Sequence, residues 1–133
     1  MAGSKGSKYF DVFLNYKYWL TKKDGTEILG KKVLSLLKDI DNEGSIQAAA
    51  NKNNISYRKA WGDIKAAESI LKFALTEKKR GGKDGGRTIL TEDGKHMISA
   101  FEELENEFKK AVYNTAKKFF HNLNEQVDED FKY

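Results

Sequence analysis

The sequence predicts an α+β, mainly helical fold: a winged helix-turn-helix with an N-terminal β-hairpin and a long C-terminal dimerisation helix. Three observations predict it. Residues 44–61, GSIQAAANKNNISYRKAW, hold two short apolar-periodic segments about a tight turn. Residues 81–86, GGKDGG, set four glycines around two charges, between strand-like runs with basic ends. From Met97 onward, apolar residues recur at steps of four and three over about seven helical turns.

Length and composition bound the reading. At 133 residues the chain is expected to be one domain, with a modest core and no second, ligand-sensing domain after it. It has no cysteine and no proline, so it offers neither disulfides nor thiolate metal sites, which suits a reducing cytoplasm. No apolar run spans a membrane, and the start, MAGSKGSK, lacks the apolar centre of a signal peptide. Residues 1–8 are expected to be a flexible leader. The net charge of +4 is unevenly spread: residues 1–50 carry +2, residues 51–100 carry +5 and residues 101–133 carry −3. The positive charge coincides with the helix-turn-helix and the glycine-rich segment after it, which suits a polyanion partner.

Residues 9–91 are expected to form the winged domain. Tyr16, Tyr18 and Leu20 alternate, Ile28 resumes the pattern, and Asp24-Gly25 between them is a hairpin signal. Antiparallel strands are expected over about 15–21 and 26–29, their aromatic residues packing the sheet or core rather than stacking on bases. Gly30 ends the hairpin. Lys31 to Asp41 places Val33, Leu36, Leu37 and Ile40 on one helical face, and Asn42-Glu43-Gly44 stops it.

Ser45 can cap the next helix, which buries Ile46, Ala49 and Ala50. Asn54, four residues after Ala50, stands where this motif needs a left-handed backbone, and asparagine is the best substitute there for glycine. Ser56 caps the second helix, whose apolar spacing puts Tyr57, Ala60, Trp61, Ile64, Ala67 and Leu71 on the buried face. Arg58, Lys59, Gly62, Lys65 and Ala66 lie opposite. Glycine inside a helix costs about 1 kcal/mol against alanine. A backbone pressed against a DNA groove would explain Gly62; an ordinary solvated face that tolerates it is the alternative.

Phe73 to Arg80 is strand-like, and the glycine-rich loop then leads to Arg87-Thr88-Ile89-Leu90. A side-chain-poor tip flanked by Lys78, Lys79, Arg80 and Arg87 can approach a phosphate backbone. The alternatives are a hairpin without a ligand or a nucleotide loop, although no lysine followed by serine or threonine stands at P-loop spacing. Thr91-Glu92-Asp93 starts a helix with a capping hydroxyl and acids at its positive end. Its stripe is Met97, Phe101, Leu104, Phe108, Ala111, Thr115, Phe119 and Leu123, widened by Val112, Ala116 and Phe120. To Leu123 such a helix is about 48 Å long, so its far end must fold back or be covered by a second chain, and a dimer is the simpler solution. The acidic tail from Asn124 is expected to fray.

In order, YWLTKKDGTEILGKK, GSIQAAANKNNISYRKAW, GGKDGGRTILT and the glycine of TEDGK resemble the ModE-type, molybdate-responsive transcriptional regulators in their N-terminal DNA-binding half. The resemblance covers about Tyr16 to Leu104. Its most specific parts are GSI before an alanine pair, ISY with AW three and four residues after the tyrosine, and paired glycines before LT. It implies a winged helix with an N-terminal strand element, a long helix pairing two protomers, and sequence-specific operator binding as a homodimer. Ser56, Tyr57 and Arg58 match the family's serine, tyrosine and basic residue at the start of the recognition helix. Trp61 matches its tryptophan, assigned here to packing. The family's oxyanion-sensing domain is not expected, so no molybdate sensing and no cofactor is carried over. Asn54 for glycine, and Glu92-Asp93 where relatives often carry a basic or aromatic residue, depart from the family.

Catalysis is not expected: His96 and His121 lie about 37 Å apart on one straight helix, with no cysteine or third histidine to complete a metal set, and no hydrolase or dinucleotide motif occurs. The expectation is a cytoplasmic, homodimeric DNA-binding transcriptional regulator that uses double-stranded DNA and no membrane. Arg58 would meet base edges, with Lys59 and Lys65 nearby; Ser45, Gln47 and Ser56 would grip phosphate, and Tyr57 enters by the resemblance. Lys79, Arg80, Lys83 and Arg87 would serve the wing, and Phe101, Leu104, Phe108, Val112, Phe119 and Leu123 the pairing helix. A dimeric protein-interaction adaptor on the same fold, or an architectural protein that coats DNA without sequence choice, are the alternatives.

Overall fold

The computed structural model describes residues 8–81 and 86–131, with side chains as far as Glu125. Two short strands, β1 (Leu20–Thr21) and β2 (Glu27–Leu29), pair antiparallel about a turn in which the Asp24 carboxylate accepts the Thr26 N–H at 2.9 Å and Gly25 takes φ 93°. This hairpin is shorter than expected. Leu20 faces Leu29 and Thr21 faces Glu27, so the register slips by a residue between them, and the ladder ends at Leu20 rather than reaching Asn15.

Three helices come next: α1 (Lys31–Glu43), α2 (Ile46–Lys52) and α3 (Tyr57–Leu71). In α1 the buried residues are Leu34, Leu36, Leu37 and Ile40, whereas Val33 is only partly covered. Because α1 is packed by α2, α3, β2 and the later strand β4 (Arg87–Leu90), its buried arc is wider than one amphipathic stripe. Gly44 closes α1 in the left-handed region at φ 75°, and Ser45 caps α2 by accepting the Ala48 N–H at 2.9 Å.

The turn between α2 and α3 has Asn54 at φ 56°, the left-handed backbone expected of it. Asn53 does the anchoring. Its amide donates to the Asp39 carboxylate at 2.8 Å and the Ala49 carbonyl at 2.7 Å, while its oxygen accepts the Ser35 hydroxyl at 2.9 Å, so the turn is tied to α1. Ser56 caps α3 by accepting the Lys59 N–H at 3.0 Å.

The buried side of α3 is Ala60, Ile64, Ala67 and Glu68. Two expected members are not there: Tyr57 is 43% and Trp61 45% exposed, and Leu71 is half-buried. Alanines at 60 and 67 let α3 approach its neighbours closely, which leaves no depth for an indole at the edge of the arc; Tyr57, in the first turn, sits at the helix end. After Lys72, left-handed at φ 65°, strand β3 (Thr76–Lys79) pairs with β4 in an unbroken antiparallel register from Thr76 opposite Leu90 to Lys79 opposite Arg87.

Helix α4 spans Glu92–Phe131, 40 residues and about 60 Å. It continues past Leu123 through the stretch expected to fray, where no glycine or proline interrupts it.

Two compact units divide the chain. Residues 18–101 form one, with Leu29, Leu36, Leu37, Ile40, Ile64, Leu75 and Leu90 at its centre. Phe101 belongs to this core: it is 6% exposed and stacks on Tyr18 with ring centroids 6.5 Å apart, so its side chain is held by its own chain rather than offered to a partner. The described parts of the other unit are 8–17 and 102–131. There Ala116 and Phe120 are buried, while Phe10, Val12, Phe13, Tyr16, Phe108, Tyr113 and Phe119 are exposed. Among the described residues no helix is long and apolar enough to cross a membrane.

Candidate nucleic-acid interface

The open side of α3 carries Tyr57, Arg58, Trp61 and Lys65, all exposed, with Gly62 among them. A Cβ added at Gly62 would meet nothing within 4 Å, so no contact inside the chain calls for glycine there.

The cations of this helix are unequal. Lys59 pairs with Asp63 at 2.9 Å, and Lys65 pairs with Glu68 at 3.0 Å while its ammonium stands 5.8 Å from the Trp61 ring centroid. Arg58 has no hydrogen bond or ion pair among the described residues. Exposed pairs such as Lys59–Asp63 are worth about 0–1 kcal/mol, so they exchange readily for a phosphate, but each acid cancels a charge on the face.

Glu68 sets the base of the wing. Buried at the end of the α3 core face, it accepts the N–H groups of Leu75 at 2.6 Å and Thr76 at 3.1 Å with one oxygen and holds Lys65 with the other. Thr91 closes the opposite strand: its hydroxyl donates to the Ala74 carbonyl at 2.7 Å and accepts the Gly94 N–H at 3.0 Å, and its own N–H donates to the Leu75 carbonyl at 3.0 Å. A Cβ at Gly94 would collide with that same Leu75 carbonyl, which accounts for the glycine of TEDGK. Helix α3, the β3–β4 hairpin and the start of α4 are thus joined by direct hydrogen bonds.

In the wing, Lys78, Lys79, Arg80 and Arg87 are exposed, and Lys79 stands directly opposite Arg87. Lys83 lies outside the described residues. Arg87 does more than flank the tip. The Thr88 N–H donates to the Gly44 carbonyl at 3.0 Å, and a Cβ at Gly44 would be 3.0 Å from the Arg87 Nε, so the guanidinium lies over the start of α2 beside Ser45. Ser45 and Ser56 sit at helix starts with their hydroxyls engaged as caps; Gln47 is exposed and donates to Asn51 at 3.0 Å.

The structure therefore gathers Ser45 and Arg87 at one place and Tyr57, Arg58 and Lys65 on one helix face. Sequence reasoning missed Asn53, Glu68 and the outward Trp61. An acid one turn after Ile64, in line with the buried face, was the available signal for Glu68. Elsewhere on the surface, Glu43 at 2.8 Å raises the pKa of Lys52, and the side-chain and backbone hydrogen bonds of Thr26 hold Asp24 below the usual carboxylate range. Among the described residues no three His, Cys, Asp or Glu side chains are placed to hold a metal ion.

No family model matches the chain. Curated proteins do. The chain is 38% identical over 74 residues to the transcriptional regulator ModE of Haemophilus influenzae (56% of this chain, 29% of that protein). It is 35% identical over 77 residues to the molybdenum-pterin-binding protein MopB of Rhodobacter capsulatus (58% and 28%), and 38% identical over 71 residues to the DNA-binding transcriptional dual regulator ModE of Escherichia coli K12 (53% and 27%). The matched stretch spans less than a third of the length of these relatives. Among solved structures, a LysR family transcriptional regulator superposes with TM-score 0.50 at 22% identity, covering 65% of this chain and 28% of that one. That likeness shows the winged helix-turn-helix fold, and the sequence matches show the resemblance to the ModE-type regulators.

Proposed function

We propose, proceeding from this ModE-type resemblance, that the chain is a sequence-specific DNA-binding transcriptional regulator that acts as a homodimer in the cytoplasm. One observation carries the reading: α3 presents Arg58 on its open face, without an acidic partner among the described residues, next to the bare backbone of Gly62. An exposed guanidinium at the start of such a helix suits bidentate hydrogen bonding to a guanine edge in the major groove. The wing supports it. Like charges directly opposite on a ladder are destabilising, and Lys79 opposite Arg87 is relieved when a phosphate lies between them. Ser45, Gln47 and Ser56 would contact the backbone at the helix starts, with Arg87 beside the first and Lys83 at the tip.

Pairing would use the outward stripe of α4. Phe108 and Phe119 are exposed, and Leu104, Val112 and Leu123 are partly so; Phe101 is excluded because it is buried in its own unit. Molybdenum or pterin binding, which the names of relatives mention, is not proposed for this chain.

The test is selection of genomic fragments by the purified protein at a stated salt concentration, followed by variants. Arg58→Ala should relax base preference at one position by about 1–3 kcal/mol, while Lys83→Ala should weaken all sequences alike and lower the salt slope by about 0.9. Unchanged affinity and preference in Arg58→Ala would refute the assignment. Equal affinity for random and genomic fragments would select the architectural reading. The exposed aromatic residues of the second unit favour the adaptor reading if the protein binds a folded partner and shows no salt-dependent affinity for DNA.

A further inference from the structure

We infer that Trp61 is a specificity-determining residue: its indole face meets a thymine C5-methyl group in the major groove, so that α3 selects thymine by apolar contact. This rests on the reading of α3 as the DNA-contacting helix. The thymine methyl is the apolar group that the major groove offers, and an apolar side chain at the groove floor recognises it by burial alone.

Four features of α3 converge on this role. The first is exposure: Trp61 is 45% exposed although buried positions of the same helix are filled by residues as small as Ala60 and Ala67, so its ring is not needed to complete the core. Tyr57, one turn before it and also exposed, extends the aromatic surface along the same side. The second is support. The Lys65 ammonium stands 5.8 Å from the ring centroid and is itself held by Glu68, whose other oxygen is fixed by two backbone N–H groups. A ring steadied by a cation over one of its faces loses little freedom on binding through the other.

The third is approach. Gly62 comes directly after the tryptophan with open space where a Cβ would stand, so the helix can sit deep enough for a short ring-to-methyl contact. The fourth is charge. Lys59 and Lys65 are matched by Asp63 and Glu68, which leaves Arg58 as the cation of this face without an acidic partner among the described residues. A face so nearly neutral is suited to base edges, and the phosphate attraction falls to the wing.

The experiment starts from duplexes selected out of a random pool by the full chain at fixed salt. Each thymine of the selected site is then replaced in turn by uracil, which removes the methyl and nothing else. The wild-type protein should lose about fourfold in affinity at one thymine per half-site, the effect of exposing one methyl group. Trp61→Ala should bind the thymine and uracil duplexes equally, Trp61→Phe should keep the difference, and Arg58→Ala should keep it too. The inference is overturned if every replacement is neutral for the wild type, if the penalty survives in Trp61→Ala, or if Trp61→Ala weakens selected and random duplexes by the same factor. Should Trp61→Ala fail to fold, shown by loss of its thermal transition, the wild-type uracil scan and Trp61→Phe decide alone: a scan without a thymine-specific loss, or loss of the difference in Trp61→Phe, overturns it. A pool that yields no preferred sequence overturns the DNA reading itself and this inference with it.

Discussion

In residues 18–101 the large side chains at the centre, Leu29, Leu36, Leu37, Ile40, Ile64 and Leu75, are fully buried, whereas residues 8–17 and 102–125 cover Ala116 and Phe120 but leave Phe10, Phe13, Phe108, Tyr113 and Phe119 in solvent. The first region has a filled core. Among the described residues no buried side-chain nitrogen or oxygen lacks a hydrogen bond, and the large apolar groups that remain outside are scattered: Trp19 and Leu20 at the hairpin, Phe73 before β3, and Tyr57 and Trp61 on α3 with Arg58. The second region keeps several aromatic side chains, each worth about 150–250 Å² of burial, along one long helix and the segment grouped with it. The difference separates a unit whose core is closed by its own side chains from one that leaves much of its aromatic surface exposed.

The largest expected effect breaks the first half of that contrast. Leu37→Ala removes a fully buried side chain where α1 meets its neighbours and should cost about 2–5 kcal/mol in denaturant unfolding, by the same amount at every protein concentration. A loss that shrinks as concentration rises would show that this unit borrows its stability from association. Glu68→Ala comes next. It strips two backbone N–H groups at the wing base of their acceptor and should cost about 2–3 kcal/mol, seen as a lower melting temperature.

Smaller effects sharpen the second half. Phe119→Ser should change the stability of a dilute sample by no more than about 0.5 kcal/mol, since the ring is exposed, but should abolish any rise of melting temperature with concentration. Sedimentation of wild type and variant as the same monomer would remove α4 from the proposed pairing. The smallest effect is expected at Asp24. Its folded pKa is depressed by Thr26, so its contribution is present above the unfolded carboxylate value and fades as pH falls through the folded one. Asp24→Asn should therefore lower the melting temperature slightly at neutral pH, where the charged form contributes, and make no difference once the pH has fallen below the folded value; a large loss at pH 7 would mean that the turn matters for more than its charge.

Much of the fold was legible because its signals are local. Ser45 and Ser56 cap the helices they precede, Gly44 and Asn54 take the left-handed backbone that their positions call for, and the paired glycines of 81–86 separate two strands in register. Each depends on a few consecutive residues and on backbone sterics that any such sequence shares. The candidate face of α3 was legible in its cations and only in part elsewhere. Apolar spacing marked Tyr57 and Trp61 for the core, because period alone gives the direction of a buried arc and not its width.

What the sequence determined by itself is the order of elements, where the helices begin and the basic wing after the second helix of the motif. The tertiary structure decided which apolar residues the core had room for. Trp61 turned outward because alanines bring the helices too close to admit it, Phe101 went to its own unit against Tyr18, and Asn53 and Glu68 found backbone and side-chain partners on other elements. Those outcomes depend on the distance between elements far apart in the chain, and close packing, unlike a helix cap, is settled only when all of them have met.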